Sequence, residues 1–278
     1  MRGSAREDAP AAEKPVASNG ENGHARWNES NAASHQPGDE NPSPARRALA
    51  QGAERAAREK LRGVAGAGEP GRNRLAARYA GEKAALNLIV AAHPEWVIEP
   101  EPGREIPGGA EHHVETSADG RRMVKHTKDG FGYAVDAEVA PFGGVLNLRQ
   151  ALPSEYLTRL DLTNEALGDD LRFEGFTDMG DQVGFVVSQR AIAGVLPTPQ
   201  QIRGWFEANG FQQVPAERID NDYIKTTTWW HPDAELLVTD AKPKNFVRDA
   251  GGEIVPIDLI TQRVAPGSPI DRVLRWDF

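Results

Sequence analysis

The sequence predicts an α+β fold, on three observations. Strand-like and helix-like stretches fall in separate runs instead of alternating. Asp-Gly and Met-Gly turns sit among the strand-like pieces. The apolar fraction of the 278 residues is 39%, and its deficit is concentrated at the N-terminus, which leaves the remainder able to build a core.

Residues 1–43 are rich in Ala, Glu, Asn, Ser, Gly and Pro, with Trp27 the lone aromatic. Such a stretch buries too little apolar surface to offset chain entropy, so disorder is expected. Pro42-Ser43-Pro44 introduces an Ala/Arg/Glu-rich helix over 45–64, and the glycines and proline of 65–71 turn the chain. A second helix is expected over 73–92, with Leu75, Tyr79, Leu86, Ile89 and Val90 on its buried face, ending at His93-Pro94. Together, 44–94 form a helical, partly basic segment. Strands are expected at 111–116, 122–126, 172–177 and 183–189. Helices are expected at 154–167, with Ser154 as N-cap, and at 198–209, where Thr198 caps and Pro199 occupies the first turn. Residues 265–278 read as a C-terminal tail.

Composition excludes several classes. The net charge of −9 argues against wholesale nucleic-acid binding. Residues 46–78 carry nine Arg or Lys against three Glu. They are a candidate nucleic-acid contact, although a solvated helical face has the same composition. The absence of cysteine removes disulfides and thiolate metal sites. No secretory h-region and no membrane-length apolar run occur, so the expected compartment is the cytoplasm, with no membrane partner.

The chemistry concentrates in 236–260, LLVTDAKPKNFVRDAGGEIVPIDLI. Asp240, Asn245 and Asp258 lie around two short strands joined by a Gly-Gly turn. Phosphoryl transfer needs few groups, because it consists of positioning and charge neutralisation. Asp240 would receive the acceptor's proton, and Lys242 would steady the transferred group. Asn245 and Asp258 would supply the hard oxygen donors that Mg²⁺ prefers. Taken singly, Asp240 and Asn245 are also ordinary turn residues. His112 and His113 are adjacent in a strand and face opposite ways, so they are read as non-metal.

Asp240-Ala241-Lys242-Pro243-Lys244-Asn245 matches D-x-K-P-x-N. With Asp258 it resembles the catalytic loop and metal-binding Asp of the protein kinases. The wider run adds Gly108-Gly109-Ala110-Glu111-His112, Val124-Lys125, Glu155-Tyr156-Leu157, 168–175 and Pro256-Ile257-Asp258. Over 95–264 it resembles the small serine/threonine/tyrosine kinase-like domains of bacterial and phage polyvalent proteins on mobile elements.

The resemblance implies a two-lobed fold using ATP and Mg²⁺, with a protein or small molecule as acceptor. It assigns Lys125 to the nucleotide phosphates, and Glu155, or else Glu165, to the helix glutamate that pairs with that lysine. Gly108 and Gly109 fall at the phosphate-covering loop, where a surface turn would read alike. The backbone at 188–190, around Gln189, would meet the adenine. Departures are Val238-Thr239 in place of His-Arg before the loop Asp, and Leu259-Ile260 in place of Phe-Gly after Asp258. Only twenty residues follow Asp258, so a truncated C-terminal lobe without an activation loop is expected. These departures keep a second reading open, a nucleotide- or partner-binding pseudokinase without catalysis.

Overall fold

The computed structural model describes residues 44–64, 72–100, 105–106, 109, 111–128, 130–140, 143–178 and 183–275. The expected disorder of 1–43, the turn at 65–71 and Gly108 lie outside the described residues. Two helices come first, α1 (Pro44–Arg62) and α2 (Arg72–Ala92). Strands β1 (Glu105–Ile106), β2 (His112–Thr116) and β3 (Arg122–Thr127) follow, then a long hairpin of β4 (Tyr133–Ala140) and β5 (Gly143–Gln150). Helix α3 (Pro153–Leu167) leads to β6 (Arg172–Asp178), β7 (Val183–Arg190) and α4 (Pro199–Ala208). The remainder holds β8 (Gln212–Gln213), β9 (Trp229–His231), β10 (Leu236–Thr239), β11 (Phe246–Arg248), β12 (Ile254–Pro256), β13 (Ile260–Arg263) and α5 (Pro269–Leu274). The fold is α+β, with antiparallel sheets ordered β1-β2-β3-β7-β6 and β13-β10-β9-β8 and two separate ribbons, β4-β5 and β11-β12.

The first core lies between the five-stranded sheet and three helices. Ala53, Ala57 and Leu61 stack along one face of α1 at helical spacing. The small alanines let α1 approach β6 closely. Leu86, Ile89 and Val90 of α2, Tyr156, Leu157 and Leu160 of α3, and Phe173, Phe176, Phe185 and Val187 of the sheet complete the core. Phe185 is its hub, with ring contacts to Phe131, Tyr156, Phe173 and Phe176.

The start of α3 corrects the expected cap. Ser154 is the second helical residue, not the N-cap, because Pro153 takes the first position. Glu155 Oε2 accepts from the Leu152 backbone N–H at 2.8 Å. Glu82 of α2, fully buried, accepts from the Ser154 backbone at 2.9 Å and its hydroxyl at 2.9 Å. A carboxylate from another helix thus does the work of the cap. Arg78 Nε, one turn earlier, donates to the same carboxylate at 2.8 Å.

The second core is built by Val214, Ile219, Ile224, Trp230, Leu237 and Val264, together with Val135 and Leu146 from the β4-β5 hairpin. The hairpin leaves the chain between β3 and α3, yet packs on this distant core. Gln262 ties it there, accepting from the Val135 N–H at 2.9 Å and donating to the Val135 carbonyl at 3.1 Å. The Asp220 N–H adds a bond to the Leu146 carbonyl at 2.9 Å. Residues 269–274, expected as tail, instead form α5, with Ile270, Val273 and Leu274 buried against the hairpin. Its apolar positions i, i+3 and i+4, behind a Ser268 cap, make a helix that has a face to bury.

Candidate functional site

A cleft of about 380 Å³ separates the five-stranded sheet from the turns after β10 and β12. Met123 and Lys125 of β3 and Gln189 of β7 line one side, and Lys244, Asn245 and Asp258 line the other, with Gly109 also on the wall. Met123 pairs with Gln189 across the sheet, and Lys125, two residues on, presents the same face. A larger cavity of about 580 Å³ lies between α1, α2 and α3, with Arg58 and Arg78 in its wall. Those arginines are engaged by Glu54, Asp161 and Glu82. The acid-base set is in the smaller cleft.

The turn after β10 is rigid. Val238 and Thr239 are wholly buried, and Asp240 has φ 59°, a left-handed conformation uncommon outside glycine but tolerated by Asp. The Ala241 N–H donates to the Thr227 carbonyl at 3.1 Å, and the Asn245 N–H to the Lys242 carbonyl at 2.9 Å. Asn245 Nδ2 donates to both the Asp240 carbonyl, at 2.7 Å, and Asp240 Oδ2, at 2.8 Å. Its NH₂ is thereby used inward, and the amide oxygen is left as its other polar end. Lys242 Nζ lies 2.8 Å from Asp240 Oδ1 and 2.9 Å from the centre of the Tyr223 ring. The Tyr223 hydroxyl donates to Asp240 Oδ2 at 3.4 Å.

Across the cleft, Lys125 Nζ donates to Asp258 Oδ1 at 3.1 Å and to the Ile257 carbonyl at 2.8 Å. The Ile257 N–H donates in turn to the Asn245 carbonyl at 3.0 Å, so the two turns are fixed to each other. Burial pushes the Asp258 carboxyl up, but Lys125, His112 and Arg159 outweigh it and hold it at about 2. Behind Asp258, the guanidinium of Arg159 donates to both oxygens of Glu111, at 3.2 and 3.0 Å. Burial opposes ionisation of Glu111, and the Arg159 charge overcomes that opposition and holds its carboxyl below the usual range.

His112 sits between Glu111 and Asp258, with Nδ1 at 3.9 and 4.0 Å from their oxygens. Its Nε2 shares a 2.9 Å hydrogen bond with the Tyr156 hydroxyl. Burial drives the imidazole down to about 4, against the pull of both carboxylates. The ring is therefore neutral at pH 7, one nitrogen carrying a proton and the other free to accept. Glu111, His112 and Asp258 bring one ligand atom each within 4.8 Å. His112 and His113 do face opposite ways, but His112 alone joins two carboxylates. Arg159 and Lys125 already neutralise those carboxylates, so the trio is a salt-bridge network before it is a metal cage.

Lys125, Asn245 and Asp258, named from sequence, line one cleft, and Asp240 and Lys242 adjoin it through the Asn245–Asp240 hydrogen bond and the Lys242–Asp240 ion pair. Gly109, also named, lines it and is exposed, with its carbonyl accepting from Lys128. Glu155 does not join them. Its oxygens bind Arg149 at 2.6 and 2.7 Å and the start of its own helix, because it sits in the first turn, away from Lys125. Glu165 is exposed and lies 3.6 Å from Arg263. Gln189 lines the cleft, but its side chain is buried, donating from Nε2 to Asp169 at 2.8 and 2.7 Å.

Sequence reasoning missed Arg159, Tyr156 and Tyr223. Tyr156 and Arg159 carried a signal, since they lie at i and i+3 on one face of α3. Tyr223 carried none, because a turn of undefined partners gives no periodicity. Compared with known proteins, the chain matches no family model, no curated protein and no solved structure.

Proposed function

We propose that the cleft binds a nucleoside triphosphate with Mg²⁺ and transfers its terminal phosphoryl group to a hydroxyl, as a two-lobed kinase-like phosphotransferase does. The observation that carries this reading is the meeting of Lys125 with Asp258 at 3.1 Å, in a cleft that also holds Asn245 bonded to Asp240. A cation from one sheet, two oxygen donors and a carboxylate base are the parts such a reaction requires. The five-stranded sheet with α3 corresponds to the nucleotide-covering lobe, and the second core to the acceptor-side lobe.

The donor set fits the metal. Asn245 and Asp258 offer hard oxygens on adjacent, mutually bonded turns, which suits an ion that takes one or two protein ligands and keeps its waters. When bound, Mg²⁺ neutralises phosphate charge. Asn245 and Asp258 would hold the ion, Lys125 would bind phosphate, Asp240 would accept the proton of the acceptor, and Lys242 would hold the transferred group in place.

A second reading is favoured by one observation. Helix α3 brings no glutamate to Lys125, whose carboxylate partner is Asp258 itself. That supports a nucleotide-binding module without transfer. Thermal stability with ATP, with and without Mg²⁺, tests the site. A rise in Tm that needs both and is absent in Asp258→Ala supports it by linkage. No shift at saturating ligand removes the nucleotide from the cleft. A shift with ATP alone, indifferent to Asp258, supports the module without transfer.

A further inference from the structure

We propose that Tyr223 is the phosphoryl acceptor of its own chain, an intramolecular modification site beside Asp240. This rests on reading the cleft as a phosphoryl-transfer site, and it names the acceptor.

Three features place Tyr223 for that role. Its hydroxyl is within reach of the base: Tyr223 Oη is 3.4 Å from Asp240 Oδ2, a reach of the kind that tightens when a reacting complex forms. Its ring lies against the cation nearest that base, with Lys242 Nζ 2.9 Å from the ring centre and 2.8 Å from Asp240 Oδ1. The residue is 45% exposed, so it is not sealed in the core.

The titration of the phenol reflects its neighbours. Burial holds its titration above the ordinary range, the charges of Asp240 and Glu111 add to this, and Lys244 opposes it. Glu111 borders Asp258, and Lys244 lines the cleft.

The turn that carries Tyr223 is anchored rather than loose. The Tyr223 N–H donates to Asn221 Oδ1 at 3.0 Å, and Asn221 Nδ2 donates to Asn147 of β5 at 3.0 Å. Ile224, the next residue, is fully buried in the second core. Anchored on both sides, the backbone at Tyr223 is held near one position, which raises the effective concentration of an intramolecular acceptor. The other three tyrosines do not compete: Tyr156 is buried, Tyr79 is packed against the first core, and Tyr133 shows no bond to Asp240.

The step balances without a further reactant. The Tyr223 oxygen forms a bond to the terminal phosphorus of the bound nucleoside triphosphate. The bond from that phosphorus to the bridging oxygen breaks, and the nucleoside diphosphate leaves with that electron pair. The phenolic proton passes to Asp240 Oδ2. Lys242, already between base and ring, is then beside the new phosphate dianion.

The test uses the full chain, first stripped with a phosphatase, then incubated with Mg·ATP and read by intact mass and phosphopeptide mapping, with the Tm shift measured in parallel. The expected result is one phosphoryl group per chain, on Tyr223, at a first-order rate that does not change on tenfold dilution. Tyr223→Phe should abolish the tyrosine label and keep the Tm shift with Mg·ATP. Asp240→Asn should slow labelling by about a hundredfold or more. Tyr133→Phe should label as the unaltered chain does. Label on Thr226 or any other residue at the original rate in Tyr223→Phe overturns the proposal. A rate proportional to protein concentration overturns its intramolecular part. A Tm shift without label overturns it while leaving nucleotide binding standing. No shift and no label removes the nucleotide reading, and this proposal with it.

Discussion

His112 is the residue whose charge the fold tolerates least. It is buried beside Lys125 and Arg159, and only the carboxylates of Glu111 and Asp258 favour its protonation. Its folded value near 4 lies below the ordinary 6.5, so between these values the unfolded chain takes up a proton that the folded chain refuses. Stability is therefore complete above about 6.5 and falls as pH drops towards about 4. The loss is on the order of 3 kcal/mol at most. His112→Gln should flatten that part of the stability profile, measured by urea unfolding across the pH range. An unchanged slope would show that the ring is protonated in the folded protein. At this scale the sequence was legible at short spacing, where Asp240 and Asn245 of one turn are bonded to each other and to the turn that carries Asp258. It was illegible for the Arg159–Glu111 pair. Those partners are 48 residues apart, and neither carries a local signature of the other.

Elements that bury an apolar stripe were readable, and elements that rely on a partner were not. The stripe of α2 at Leu86, Ile89 and Val90 is where helical periodicity puts it. The hairpin of β4 and β5 was missed. Along β4 only Ala134 and Val135, two neighbours, are buried, so the period-two alternation that marks a half-buried strand is absent. The N-terminus of α3 failed for a related reason, since its cap is Glu82 of another helix. Glu82→Ala should destabilise the protein by about 2–4 kcal/mol, because two donors of Ser154 and the Arg78 guanidinium lose a buried acceptor. Glu82→Gln should recover part of that loss, since its amide oxygen can still accept. Equal thermal unfolding of Glu82→Ala and the unaltered chain would show that water replaces the carboxylate.

At the scale of the whole molecule, the first 50 or so described residues belong to the same core as the candidate site's sheet. Leu61, Leu86 and Ile89 cover Phe173, Phe185 and Tyr156, and the last of these holds His112. A chain beginning at residue 95 should expose that surface and aggregate or lose its cooperative unfolding, as size-exclusion chromatography and calorimetry would show. A stable monomer from residue 95 would make the helices an accessory. The sequence allowed this packing through the apolar face of α2, but its partner could not be read, because β7, the strand it packs on, begins only at Val183, far beyond the helix end at Ala92. Among the described residues no helix is long and apolar enough to cross a membrane.

The hairpin has a further consequence during biosynthesis. Val135 and Leu146 leave the ribosome well before Ile219, Trp230, Leu237 and α5, which cover them. At roughly 5–20 residues per second, that apolar surface waits on the order of ten seconds for its partners. Through that interval a nascent chain with its first core already forming carries a greasy ribbon with nowhere to dock, a natural target for a ribosome-associated chaperone.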